Sequence, residues 1–173
     1  MDELPPMTTV RLRPRLELWL PPLILVLDQL TKAAVRANVP LYSTVEIVPG
    51  LLNVTHIRNS GAAFGLMNAA QFPLKTVAIA AVAVAGIVVM ALYAARLARE
   101  QVAARVGLAL IVGGAAGNLI DRVLEGSVVD FVDVYWRTYH FWAFNAADSA
   151  ITVGVAVMLA DMMMAGTRVS KTT

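Results

Sequence analysis

Residues Thr76 to Ala95 make a run of twenty positions without a charge. An α-helix of about 20 mostly apolar residues matches the hydrocarbon thickness of a bilayer. Phe141 to Ala160 is a second run of twenty, broken only by Asp148. Val106 to Ile120 adds fifteen uncharged residues and reaches spanning length if its helix runs from about Val102 to Arg122. Leu16 to Val35 holds Glu17, Asp28 and Lys32, yet Leu18 to Leu27 is wholly apolar. Pro21 and Pro22 fall near the start of that segment, where missing N–H groups cost least. The pattern predicts a membrane α-helical protein of one domain, with four transmembrane helices at approximately 16–36, 74–95, 102–122 and 141–162, plus a small extracytoplasmic β-sheet element. Only 15% of the 173 residues are charged, against roughly 25% in a soluble domain. That balance excludes a disordered chain, a collagen-like chain and an ordinary water-soluble enzyme.

Orientation follows from the basic residues. Arg11, Arg13 and Arg15 precede the first span, Arg96, Arg99 and Arg105 lie around the loop between spans two and three, and Arg168 and Lys171 follow the fourth. With four spans these fall on one side, so both termini are expected in the cytoplasm, and segments 37–72 and 123–140 outside. The basic start and short apolar run of span one loosely resemble a secretory leader. Asp28-Gln29 and Lys32 interrupt that pattern, so the segment is expected to be retained. Residues 1–15 read as a cytoplasmic tail. Ser43–Val48 and Leu51–Ile57 are rich in β-branched residues and flank Pro49-Gly50, which predicts a hairpin; Val128–Val132 reads as a further short strand.

Ionisable groups within membrane helices are costly and mark functional sites by default. Here they are Asp28 with Gln29 and Lys32, Asn118 with Asp121 and Arg122, and Asn145 with Asp148; Asn59, Gly61 and Asp130 lie in the outer segments. The topology puts all of them at one level near the outer face. With a helix start at Phe141, Asp148 would sit about 10 Å along its helix at 1.5 Å per residue. Asn145, Asp148 and Thr152 share one stripe, and Asp28 and Lys32 are spaced to pair within their helix.

The chain has no Cys, and its two His, His56 and His140, lack metal-ligand spacing. A net charge of +2, without basic residues clustered among aromatics, gives no footprint for nucleic acid. Ser60 lacks the setting of a nucleophile. Carboxylates remain: two close Asp can share a proton, one ionised to activate water and the other acting as acid. Asp28, Asp121, Asp130, Asp133 and Asp148 are all available. Asp28 has Lys32 one turn on and Asp121 has Arg122 beside it, so each has a counter-ion. Asp130 and Asp148 have none within a helical turn in sequence and are the better physical choice. Gly113 and Gly117 form a small-xxx-small spacing that suits close helix packing.

Five segments in order resemble the bacterial lipoprotein signal peptidase (signal peptidase II) family. They are Asp28-Gln29-Leu30-Thr31-Lys32, Asn59-Ser60-Gly61-Ala62-Ala63-Phe64, Gly113 through Arg122, Val128-Val129-Asp130-Phe131 and Phe144-Asn145-Ala146-Ala147-Asp148. The resemblance covers about residues 16–165. It implies an aspartic endopeptidase of the cytoplasmic membrane that cleaves diacylglyceryl-modified prolipoproteins before the lipidated cysteine, near the outer leaflet. It further implies Asp130 and Asp148 as the catalytic pair, and Asn59, Gly61, Asn118, Arg122 and Asn145 as substrate-binding or supporting residues. Asp28, Lys32 and Asp121 become structural polar groups. The expected partners are prolipoproteins, membrane lipid and globomycin-like cyclic peptide inhibitors; neither metal nor cofactor is implied. Two rival readings from other classes are a small proton-coupled transporter subunit and a non-catalytic membrane scaffold.

Overall fold

The computed structural model describes residues 16–61 and 74–169. The expected tail 1–15 and the Ala62-Ala63-Phe64 part of the second segment lie outside the described residues. A short 3-10 turn, Leu16–Trp19, leads into α1 (Leu20–Asn38). Next come β1 (Thr44–Val48), β2 (Leu52–Asn59), α2 (Lys75–Arg96) and α3 (Val102–Glu125), then β3 (Val128–Trp136), β4 (Tyr139–His140) and α4 (Ala146–Val169). Among the described residues, four helices are long and apolar enough to cross a membrane.

The helices are inside-out relative to a water-soluble protein. On α1 the buried positions are Asp28, Lys32 and Val35, while Leu23, Val26, Leu27 and Leu30 are exposed. Such a distribution suits a chain whose surroundings are hydrocarbon and whose polar groups must be satisfied internally.

Helix α3 is the hub, packing on α1, α2 and α4. Its glycines are divided between two faces. A methyl at Gly113 would lie 2.9 Å from Cα of Pro21, and one at Gly117 would lie 2.5 Å from Oδ2 of Asp28, so this face lets α1 approach. The other face uses Gly107, whose methyl would lie 2.7 Å from the Gly154 carbonyl, and Gly114, whose methyl would collide with the Ala147 carbonyl. That face receives α4. Close backbone approach through small residues is the usual way membrane helices associate. Gly126, at φ +70°, ends α3 by donating its N–H to the Arg122 carbonyl.

The sheet has the order β1-β2-β3-β4 and is antiparallel throughout. Gly50, at φ +76°, turns the expected hairpin between β1 and β2. β2 pairs with β3 from Leu52 opposite Val134 to Asn59 opposite Val128, with an irregularity between Val54 and Ile57. Val35 of α1 and Val39 just past its end pack with Val129 of β3, joining the sheet to the helices at the end where α1 finishes.

Two boundaries differ from the sequence reading. The third strand continues to Trp136, so much of the segment expected as an outer loop (123–140) is strand or the last turn of α3. The fourth helix begins at Ala146 and not at 141. Phe141 to Phe144 are extended: Phe144 bridges Val132, exchanging backbone hydrogen bonds of 2.8 and 3.1 Å. Asp148 therefore stands in the first turn of α4 and not two turns along it.

Candidate active site

Asn145 is the cap that sets the start of α4. Its side-chain Oδ1 accepts the Asp148 N–H at 2.9 Å, and the Asp148 carboxylate accepts the Asn145 N–H at 3.3 Å. This is a reciprocal capping arrangement, and it fixes the Asp148 side chain through the helix terminus itself. The Asn145 amide nitrogen turns the other way. It donates to Asp130 Oδ1 at 2.8 Å and to Asn118 Oδ1 at 3.2 Å. One fully buried residue thus contacts both carboxylates, Asp130 through its side chain and Asp148 through its backbone N–H.

Asp130 comes from β3. Its second oxygen accepts Nδ2 of Asn59, at the end of the neighbouring strand, at 3.0 Å. Asn59 also accepts the Gly61 N–H through its own oxygen at 3.0 Å, forming a tight turn. Burial pushes the Asp130 carboxyl up to about 6; the Asn59 amide opposes that rise, the neighbouring Asp148 charge adds to it, and Asn145 and Lys32 oppose it.

Asp148 Oδ1 accepts Nδ2 of Asn118, on α3, at 2.8 Å. Behind Asn118 lies a buried ionic cluster. Lys32 Nζ donates to Asp28 Oδ2 at 2.7 Å and Asn118 Oδ1 at 2.9 Å, and it pairs with Asp121 Oδ2 at 2.8 Å. Asp28 Oδ1 in turn accepts the Ala147 N–H at 3.0 Å, an orphan donor of the α4 terminus. Gln29 donates to Asp121 Oδ1 at 3.1 Å, and Arg36 pairs with Asp121 and with Glu125. Arg58 of β2 pairs with Glu125 at 2.7 Å, carrying the network out to the sheet.

The counter-ion of Asp121 differs from the sequence reading: it is Lys32 and Arg36, not the adjacent Arg122. Arg122 instead donates to the carbonyls of Gly61 and Asn118, both at 3.0 Å. It pins the Asn59–Gly61 turn over the site. The ten residues singled out by sequence (Asp28, Lys32, Asn59, Gly61, Asn118, Asp121, Arg122, Asp130, Asn145 and Asp148) meet in one hydrogen-bonded network at one end of the bundle. Gln29 belongs to it as well. Asp133 lies apart: it accepts from Asn53 and pairs with His140, bracing the sheet.

Asp130 and Asp148 both line a cavity of about 760 Å³. Asn59, Asn118, Arg122, Ser149 and Thr152 add further polar side chains, while Ile79, Val82 and Ala83 of α2 form one wall and Ile151 and Val153 of α4 another. Phe141, Trp142 and Phe144 close the end nearest the sheet. The β4-to-α4 segment, expected from sequence as the start of the fourth span, is thus part of the cavity wall. The signal for it was present in the sequence, in the Asn145-x-x-Asp148 cap.

The sequence model of the Signal peptidase (SPase) II family matches residues 21–164. The lipoprotein signal peptidase of Geobacter metallireducens is 46% identical over 147 residues, spanning 85% of this chain and 90% of that one. That of Geobacter sulfurreducens is 47% identical over 139 residues, or 80% and 86% of the two chains. A bacterial membrane enzyme solved by the in meso method at 2.3 Å resolution superposes with a TM-score of 0.77 at 30% identity, over 86% of this chain and 88% of the other. The match extends across all four helices and the sheet, and on these grounds the chain belongs to the signal peptidase II family of membrane peptidases.

Proposed function

We propose that this protein removes signal peptides from diacylglyceryl-modified prolipoproteins by aspartic catalysis at Asp130 and Asp148. The cut falls on the amino side of the lipid-bearing cysteine, at the outer face of the bacterial cytoplasmic membrane, with both termini in the cytoplasm. The observation that carries the reading is Asn145, whose side-chain amide donates to the Asp130 carboxylate and whose backbone N–H donates to that of Asp148, with both carboxylates lining one largely apolar cavity.

Two adjacent carboxyls, one buried and one half-buried, hold one proton between them, because two charges repel strongly where water is scarce. The ionised member takes a proton from water as its oxygen attacks the scissile carbonyl carbon. The protonated member gives its proton to the carbonyl oxygen. Collapse of the resulting diol breaks the C–N bond, and a carboxyl proton passes to the departing amine. The amides of Asn59, Asn118 and Asn145 keep both carboxyls aimed without adding charge. The apolar walls from α2 and α4 suit a substrate that arrives from the bilayer with its acyl chains still in lipid. Globomycin-like cyclic peptides would compete for the same cavity.

A proton relay across the bilayer needs ionisable groups at successive depths. Thr76–Ala95 has none, and Arg105 pairs with Glu17 where α3 begins, far along the helix from Asn118. The test is cleavage. Purified protein in detergent should process a diacylglyceryl-modified prolipoprotein without added metal or ATP. Asp130→Asn and Asp148→Asn should each lower kcat by about 10²–10⁴ while still melting cooperatively. Activity within tenfold of wild type in either folded variant defeats the assignment.

A further inference from the structure

Lys32 is buried completely, yet it touches neither proposed catalytic carboxylate. It donates to Asp28 and Asn118, and its charge pairs with Asp121 Oδ2 at 2.8 Å. The contact with Asn118 has a consequence for polarity. An amide has one accepting end and one donating end, and an ammonium can only donate. With Nζ 2.9 Å from Oδ1, the Asn118 carbonyl must face Lys32, and its NH2 must face Asp148 Oδ1, 2.8 Å away. The Asn145 NH2 also donates to Asn118 Oδ1, so that oxygen is claimed from two sides.

We infer that Lys32 is a positioning residue for the proposed reaction: it locks the Asn118 amide in the one orientation that presents a donor to Asp148. This inference rests on the aspartic reading above. Were the amide to turn over, its oxygen would face the Asp148 oxygen, and only a protonated carboxyl could satisfy the contact. The shared proton would then be held on Asp148, and the dyad could no longer pass it between its two members as the reaction requires. Asp28 and Arg36 on α1, Asp121 and Arg122 on α3, Asp148 on α4 and Asp130 on β3 are the charged groups around this amide. None of these donates to its carbonyl end in the described hydrogen bonds; Lys32 does, beside the uncharged Asn145 amide.

Two variants separate this role from a structural one. Lys32→Met keeps the side-chain length and removes the donor. Lys32→Met combined with Asp28→Asn also removes one negative charge, so the cluster keeps its net charge and is the better folder. Both are assayed as full-length protein in detergent on a diacylglyceryl-modified prolipoprotein, with wild type and Asp130→Asn alongside. The expected result is a fall in kcat of tenfold or more in the double variant, KM within about twofold, and an acidic limb of the kcat profile displaced to higher pH. Three results overturn the inference: a folded double variant with kcat within twofold of wild type; a loss of activity that only follows the folded fraction, with the pH profile unmoved; or no folded protein from either variant, which would make Lys32 a folding determinant alone. Wild type that does not cleave, or Asp130→Asn that does, defeats the aspartic reading instead.

Discussion

Helices α2 and α3 are alike in length and both read as membrane spans, yet they do opposite work. α2 is the more hydropathic, and none of its residues is buried within the protein. α3 is less apolar, and ten of its residues are buried. The difference lies in side-chain size and polarity. α2 presents Ala, Val and Ile all round, a surface that hydrocarbon solvates as well as protein does. α3 carries glycines on two faces and Asn118, Asp121 and Arg122 at its end, none of which lipid can satisfy. Hydropathy therefore finds the membrane, while small and polar residues find the interior. The cavity lies between a wall (α2) and a hub (α3), and the hub brings Asn118 and Arg122 to it.

The sharpest way to break this contrast is to thicken the hub. Gly114→Val puts branched carbon against the Ala147 carbonyl and within 2.9 Å of Ile151 Cγ1. The obstacle is backbone at the first turn of α4, which cannot rotate away. Overpacking typically costs 1–3 kcal/mol, and this site should fall at or above about 3 kcal/mol. Displacing Ala147 also moves Asp148, so activity should vanish with stability. Thermal melting in detergent and prolipoprotein cleavage check both. A variant with a wild-type melting temperature would show that α3 and α4 are packed more loosely than their glycines require.

The next effect concerns charge buried at the hub's polar end. Because the Asp130 carboxyl is raised to about 6, its protonation favours the folded state. Its contribution is fully present below the ordinary carboxyl value and is lost as pH rises through 6. The cost of ionising it in place is at most about 3 kcal/mol. Between pH 7 and pH 4, wild type should gain stability relative to Asp130→Asn, which has no proton to bind at that position. The same titration shapes catalysis. On the alkaline side, kcat/KM should fall as pH passes about 6 in the substrate-free enzyme, and kcat should hold to higher pH, because bound substrate excludes more water. Parallel stability curves for the two proteins would show that Asp130 is not buried as a charge.

Much of this was legible in the chain, for stated reasons. Long uncharged runs place the helices, because spanning length is a physical threshold. Pro49-Gly50 between β-branched runs places the hairpin. The polar residues were conspicuous because lipid tolerates them so poorly. What was not legible depends on three dimensions or on a competing signal. Phe141 to Phe144 are as apolar as a helix start, and only the Asn145-x-x-Asp148 cap marks the true one. The Asp28–Lys32 spacing showed a pair within one helix, but not that Asn118 and Asp121 of α3 complete it. Adjacency suggested Arg122 as the partner of Asp121. Neighbours in a helix point about 100° apart, and Lys32 and Arg36 from α1 take that place instead.

The wall should respond through binding. Ala83 lines the cavity from α2 and makes no part of the hydrogen-bonded network described above. Ala83→Leu adds volume where a substrate acyl chain or signal-peptide side chain would lie. It should raise KM by about tenfold or less with kcat nearly unchanged, the signature of binding lost equally in ground and transition states. A fall in kcat at unchanged KM would place α2 closer to the chemistry than its contacts imply.

The smallest change gives the cleanest control for the first. Gly86 sits in the middle of α2, and a methyl there would meet only Met90 Cε, at an ordinary 3.9 Å. Gly86→Ala therefore encounters no backbone and touches no polar group. Replacing glycine by alanine inside a helix favours it by up to about 1 kcal/mol, since less backbone freedom is lost on folding. The expected outcome is a melting temperature equal to or slightly above wild type, with unchanged kcat and KM. Glycine in this chain then has two meanings set by its helix: a requirement of packing on α3 and a replaceable residue on α2. Should Gly86→Ala destabilise the protein as Gly114→Val does, α2 must be pressed against a surface that the isolated chain does not show, and its standing as a lipid-facing wall would fail.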